Sequence, residues 1–276
     1  MNKPVPVWIC ATCGNHYPEA EEPPPVCVIC ADERQWVPAD GQRWTTAAEL
    51  GEAGFHGECR ELEPSLVGIG VEPKFAIGHR GLLVRTSHGN LLWDPPAYLD
   101  DDVVGRIREL GGARVVTASH PHFYGSMVQC RRTFGAEILV PEVDLGWLTR
   151  PDPAVRTWSG VEALLPGVTL VQCGGHFPGS AVVHWADGAD GAGALLVGDT
   201  LFVTPGEDRV SFAWSVPNRI PLPERAVRGV LDALRPYRFD RIYAGWWEQV
   251  LRQGARHALE TSAERYIRFL KGEVEI

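Results

Sequence analysis

Three short apolar runs in this chain each stop on a side chain that can bind a cation. "ARVVTAS" runs into His120 and His122 of "HPH", "GVTLVQC" leads to the glycine-flanked His176 of "GGHFPGS", and "GALLVGD" ends on Asp199. Runs this short and apolar, bounded by turn residues, are predicted to be buried strands. A polar residue at the end of such a strand sits on the rim of a rigid scaffold, a common place for function. "KFAIG", "GLLVRT", "NLLWD", "EILVP", "SAVVHWA" and "DRIYAG" read as further strands, and "SHGN" and the glycine-rich "DGADGAG" read as hairpin connections. Between them, "DDVVGRIRELGG", "SMVQCRRTFG", "PERAVRGVLDALRPY" and "ARHALETSAERYIRFLKG" carry apolar residues at helical spacing. Strands and helices mixed in this way, with hairpins both early and late, predict an α+β chain whose sheets are covered by helices. No internal period marks a repeat protein.

The chain has 276 residues, enough for one large domain and a small appendage. A formal charge of −9 argues against nucleic acid or an anionic membrane as the main partner, since both reward a basic surface. No apolar stretch approaches the ~20 residues that span a bilayer, and "MNKPVPVWIC" lacks the apolar core of a secretory signal. The expectation is a soluble, cytoplasmic protein.

Seven cysteines make an odd number, and four of them form two C-x-x-C pairs, Cys10 with Cys13 and Cys27 with Cys30. That pattern suits a metal site in a reducing compartment better than a disulfide framework. Each pair presents two thiolates on a tight turn, and two such turns can close a tetrahedral four-sulfur site. The proline-rich connector "EAEEPPP" has little to bury, so a metal staple would stand in for a core. The segment resembles zinc ribbons, and "CATCGNHY" resembles the first knuckle of rubredoxins, whose insert between the pairs is much longer. Zinc is therefore preferred to iron, in a structural role. Cys59, Cys130 and Cys173 are expected as small buried apolar residues. The predicted organisation is a four-cysteine ribbon over 1–45, a linker over 46–64 and a main domain over 65–276.

His120 and His122, at i and i+2 in extended geometry, point to one side and can chelate one ion, with Pro121 stiffening the link. Taken singly, His176 also fits a hydrogen-bonded structural histidine, and Asp199 a cap for the turn that follows. The order of the motifs adds to this. H-x-H, then G-H-x-P-G-S before a strand, then G-D-T after another, resembles the metallo-β-lactamase superfamily, from about residue 65 to the C-terminus.

The resemblance implies an αβ/βα four-layer sandwich and a metal held by His120, His122 and His176, with Asp199 as a fourth ligand or close neighbour. It also implies that Asp94 of "WDPP" braces the histidine loop. The superfamily loop reads H-x-H-x-D-H, and its last two positions are here Tyr124 and Gly125. The late histidine of the superfamily falls at Trp246. Gly125 and Trp246 supply no ligand, and tyrosine is a poor ligand for zinc at neutral pH. The expectation is a one-metal version of a two-metal scaffold.

One zinc or ferrous ion with an open position can activate water or polarise a carbonyl. Asp199 then ligates or acts as the base. The Tyr124 hydroxyl either stabilises an oxyanion or fills space, and Trp246 and Trp247 wall the site. Residues 203–223, with Trp214, are expected to shape the substrate pocket as a lid, or else to be an ordinary connection. His79, His88, His184 and His257 belong to no ligand motif. The leading expectation is a mononuclear hydrolase of a small-molecule ester, lactone, amide or thioester. The alternatives are a lyase or iron-dependent oxygenase, or a binding protein that has lost catalysis.

Overall fold

A computed structural model describes residues 5–275, which divide into two units: 5–140 with 145–157, and 141–144 with 158–275. In the first unit the N-terminal segment forms β1 (Val7–Cys10), β2 (His16–Glu19) and β3 (Trp44–Thr45), ordered β2-β1-β3 and antiparallel. Its interior is small: Tyr17, Ile29 and four cysteines, with Trp8 and Trp44 packed against them. So little apolar area fits the expectation that this segment depends on a metal for closure.

Residues 46–64, expected as a linker, are structured. Thr46 and Glu49 form a capping box that starts α1 (Ala47–Glu52). β4 (His56–Glu63) then pairs along its length with β5 (Leu66–Glu72), from His56 opposite Glu72 to Glu63 opposite Leu66. β4 is an edge strand with mostly exposed or half-buried side chains. It therefore lacks the apolar alternation by which a strand is read, and is placed by pairing with β5 and by the Gly57 N–H, which donates to Asp100 Oδ2 at 2.7 Å.

The sheet continues through β6 (Gly81–Val84), β7 (Leu91–Trp93), β8 (Val115–Thr117), β9 (Glu137–Pro141) and β10 (Val155–Trp158), in sequential order. β4 to β7 are an antiparallel meander, whereas β7, β8 and β9 run parallel. Parallel neighbours need crossovers, supplied by α2 (Asp101–Glu109) and α3 (Met127–Phe134). Asp100 caps α2 by accepting from the Val103 N–H, and Val103 and Ile107 bury one face. "KFAIG" is a turn, not a strand. Ala76 and Gly78 have positive φ, outside the extended region that regular strand residues occupy, and Phe75 packs edge-on to Phe55 with ring centroids 5.5 Å apart.

The second unit is built on a six-stranded sheet. Its first four strands are an antiparallel meander of β11 (Val161–Leu165), β12 (Val168–Gln172), β13 (Ala181–Trp185) and β14 (Ala194–Gly198). Two small ribbons follow, β15 (Phe202–Val203) with β16 (Val210–Ser211), and β17 (Ala213–Ser215) with β18 (Ile220–Pro221). After α4 (Glu224–Leu234), β19 (Arg241–Ala244) lies parallel to β14, and β20 (Val250–Leu251) closes the edge before α5 (Ala255–Leu270). Val227, Val230 and Leu234 of α4 and Leu259, Ala263 and Ile267 of α5 enter one core with β12 to β14.

Residues 203–223, expected either as a lid or as an ordinary connection, contain most of these two ribbons and are fastened to α5. The Val210 N–H donates to Ser262 Oγ at 3.1 Å, the Leu222 N–H donates to the Tyr266 hydroxyl at 2.8 Å, and Phe212 stacks edge-on to Tyr266. No helix among the described residues is long and apolar enough to cross a membrane.

Candidate metal centre

Cys10, Cys13, Cys27 and Cys30 are buried, and their sulfurs all lie within 4.8 Å of one another. Cys10 Sγ is 3.6 Å from Cys30 Sγ, and Cys13 Sγ is 3.5 Å from Cys27 Sγ. A tetrahedral ion with ~2.3 Å bonds to sulfur sets its ligands about 3.8 Å apart, so the cage fits a zinc-sized ion. The packed sulfurs split their acidities: contacts from the other three lower the Cys10 thiol, while burial and the neighbouring sulfurs raise that of Cys13. Amide groups also donate into the cage: Gln42 Nε2 to Cys10 Sγ at 3.0 Å, and the Cys30 N–H to Cys27 Sγ at 3.5 Å. A thiolate cluster needs such donors to balance its charge.

In the same unit, β8 delivers the chain to the histidine loop. His120 is extended, but Pro121–Phe123 form a 3-10 turn, so His122 is not the next residue but one on a strand as the sequence suggested. Proline at the first position of the turn dictates this, because its fixed φ suits a helical start. The two imidazoles stand 4.9 Å apart, nearly perpendicular. Ser119 Oγ lies 2.8 Å from His120 Nδ1, and Gln35 Nε2 lies 3.2 Å from His122 Nδ1. Both rings are thus engaged through Nδ1. With the Gln35 amide turned so that its carbonyl accepts from Nδ1–H, Nε2 of His122 keeps its lone pair for a cation.

Asp94 braces this loop as the resemblance implied: its Oδ1 accepts from the Ser119 N–H at 2.6 Å. Burial pushes the Asp94 carboxyl up to about 7. His79 stacks on Phe123 at 4.0 Å and contacts the Pro95 carbonyl at 3.2 Å, a structural role.

The cysteine segment lies directly on this loop. The Asn15 amide donates to the His122 carbonyl at 3.1 Å and to Cys13 Sγ at 3.6 Å. At Gly125 a β-carbon would stand 2.6 Å from the Gly14 carbonyl oxygen. The position at which the superfamily loop carries its last histidine is thus covered by ribbon backbone. Tyr124, at the other lost position, is 1% exposed. Its oxyanion role would require a substrate to reach a side chain that solvent barely touches.

The second unit carries the other two candidates. His176 sits between β12 and β13 in a turn closed by its own chain: the Cys173 and Gly174 N–H groups donate to the Ser180 carbonyl, and the Phe177 N–H donates to Ser180 Oγ at 2.8 Å. Asp144, fully buried, accepts from the Gly179 N–H at 3.0 Å. Any side chain at Gly179 would meet that carboxylate, since a β-carbon there falls 2.6 Å from Asp144 Oδ2. Sequence reading missed Asp144, because an acidic residue on an irregular segment looks like solvated surface.

Asp199 follows β14, and its Oδ2 lies 3.9 Å from His176 Nε2. That is too long for a hydrogen bond. It lies within the reach of two donors on one ion, which stand at most about 4.2 Å apart when each is ~2.1 Å from it.

Trp214 packs half-buried against the core of this unit, and Trp246 faces Phe202 with centroids 6.5 Å apart. His184 Nε2 meets the Arg238 carbonyl at 2.8 Å, and His88 and His257 are exposed. Burial pushes the Cys130 and Cys173 thiols up to about 12, away from reactivity.

This arrangement of sheets and donor-bearing loops is the metallo-β-lactamase fold, carrying an N-terminal four-cysteine knuckle. The metallo-β-lactamase SMB-1, solved in complex with mercaptoacetic acid, is 16% identical and matches with a TM-score of 0.53 over 79% of this chain and 97% of its own. A B3 metallo-β-lactamase with an active-site glutamic acid is 14% identical, with a TM-score of 0.54 over 78% and 89%. The metallo-β-lactamase of Hirschia baltica is 15% identical, with a TM-score of 0.53 over 76% and 98%. At such identities the likeness establishes the fold. No protein-family model matches the chain. The chain belongs to the family of YmaE of Bacillus subtilis (strain 168), an uncharacterized protein to which it is 39% identical over 98% of its own length and 99% of that relative.

Proposed function

We propose that His120, His122, His176 and Asp199 hold one divalent ion, and that the protein is a mononuclear metal-dependent hydrolase of a small-molecule ester, lactone, amide or thioester. The donor set carries this reading: three buried imidazoles and one buried carboxylate, a combination suited to zinc or ferrous iron. An ion so held supplies a water of lowered pKa and a Lewis acid for a carbonyl.

The protein's own groups do the rest. Ser119 and Gln35 fix the imidazole orientations, and Asp94 and Asp144 fix the two loops that bear the donors. Asp199 serves as a ligand or takes the proton of the attacking water. The covered Gly125 position and the buried Tyr124 favour a single ion over two. Trp214 and Trp246 are assigned to the substrate side, and Tyr124 to packing of the loop, so Tyr124→Phe should keep most of the turnover.

Elemental analysis of the purified protein, with a panel of small esters, lactones and thioesters, tests the proposal. The expected result is two ions per chain, one in each donor set, with His122→Ala losing one ion and the turnover together. Unchanged turnover in His122→Ala without that ion defeats it. Activity that tracks iron and stops without oxygen would reassign the site to oxygenase chemistry.

A further inference from the structure

Within the first unit the cysteine knuckle reaches the histidine loop at three points. Gln35, 7% exposed, lies five residues beyond Cys30, on a turn that its own N–H closes onto the Asp32 carbonyl at 2.9 Å. Its amide is the group on His122 Nδ1, across 87 residues of sequence. Asn15, fully buried two residues beyond Cys13, bridges Cys13 Sγ and the His122 carbonyl. Gly14 presents its carbonyl to Gly125. Each C-x-x-C turn thus sends one amide side chain to the same histidine.

His120 differs in this respect. Its Nδ1 contact is with Ser119, the preceding residue, and not with the knuckle. The support of His122 comes from a segment whose interior is four sulfurs and a few apolar side chains. Such a segment has too little burial to hold its loops once the sulfurs are no longer drawn together. Removing the group that orients a ligating imidazole commonly weakens metal binding about 10–100-fold.

We infer that Gln35 and Asn15 are positioning residues for His122, so that metal in the cysteine knuckle sets the affinity of the histidine site. Filling is then ordered. The knuckle loads first, and the histidine site reaches full affinity only behind it. The second point rests on the metal reading proposed above, but the orientation of His122 by the knuckle does not.

The test uses the full chain, stripped of metal and titrated with cobalt(II), whose thiolate charge-transfer bands report the cysteine site apart from the histidine site. The cysteine bands are expected to saturate first. Gln35→Leu should leave them unchanged and weaken the histidine site by about 10–100-fold. Gln35→Glu, which restores an acceptor for Nδ1–H, should recover most of that loss. Intact cysteine bands in Gln35→Leu show that the variant has folded there. An unchanged histidine-site affinity in Gln35→Leu, or a histidine site that fills at full affinity with the cysteines empty, overturns the inference.

If the wild-type histidine set takes no cobalt, the functional proposal fails and a second measurement still decides this one. The side-chain nitrogen resonances of His122, recorded with the histidine set metal-free, should move when the cysteine site is emptied. Resonances that stay in place overturn it.

Discussion

Adding a single β-carbon at Gly125 tests whether the ribbon backbone closes the second-ligand position. In Gly125→Ala the new atom would lie 2.6 Å from the Gly14 carbonyl oxygen, 3.3 Å from its carbon and 3.5 Å from Asn15 Cα. Ordinary contact between a methyl group and a carbonyl oxygen needs about 3.4 Å, so close to 0.8 Å must be found. Gly14 cannot retreat cheaply. Its φ of +79° and its N–H bond to the Cys10 carbonyl hold it in the knuckle turn, and its open face already rests on Ala97. Overpacking of this kind costs about 1–3 kcal/mol. At roughly 2–4 °C per kcal/mol for a large domain, that is a loss of several degrees in Tm.

Gly125→Asp and Gly125→His carry the same cost and should bind no additional ion, because the side chain would have to enter space held by ribbon backbone. Calorimetry of the three variants with metal counts gives the answer. Gly125→Asp as stable as the parent, with an extra zinc per chain, would refute the argument.

Two further outcomes follow from buried polar groups of the first unit. Asp94→Ala removes the acceptor of the buried Ser119 N–H and puts alanine at a φ of +50°, for a cost of about 1–3 kcal/mol, while Asp94→Asn keeps an acceptor and tolerates that backbone; equal urea midpoints for the two variants would show that the brace is idle. His16 and His79 are buried neutral, each pulled down to about 4 by loss of solvent. Because the unfolded chain binds their protons first, their contribution is complete above about pH 6.5 and is lost as pH falls toward 4, roughly 3 kcal/mol each. The fall in unfolding free energy between pH 7 and 5 should therefore be shallower in His79→Gln than in the parent, and identical slopes would exclude the assignment.

Where strands and ligands could be read in advance, local chemistry carried the signal. Val227, Val230 and Leu234 show helical period because one face of α4 is buried, and they form that face. The C-x-x-C spacing belongs to tight turns, and the four sulfurs do converge. His120, His122, His176 and Asp199 stood out because each ends or follows an apolar strand, and each is buried. β4 escaped notice because an edge strand has no buried face to impose alternation. Asp144 and Gln35 escaped because their work is done for residues 35 and 87 positions away.

The order and type of residues alone determined which groups can bind metal, since donor chemistry and short-range spacing are properties of the local chain. What the knuckle rests on was decided only by folding. Nothing in "CGNHY" or "ERQWV" announces a partner at His122, because an amide side chain is equally at home in water until tertiary packing buries it against one particular imidazole.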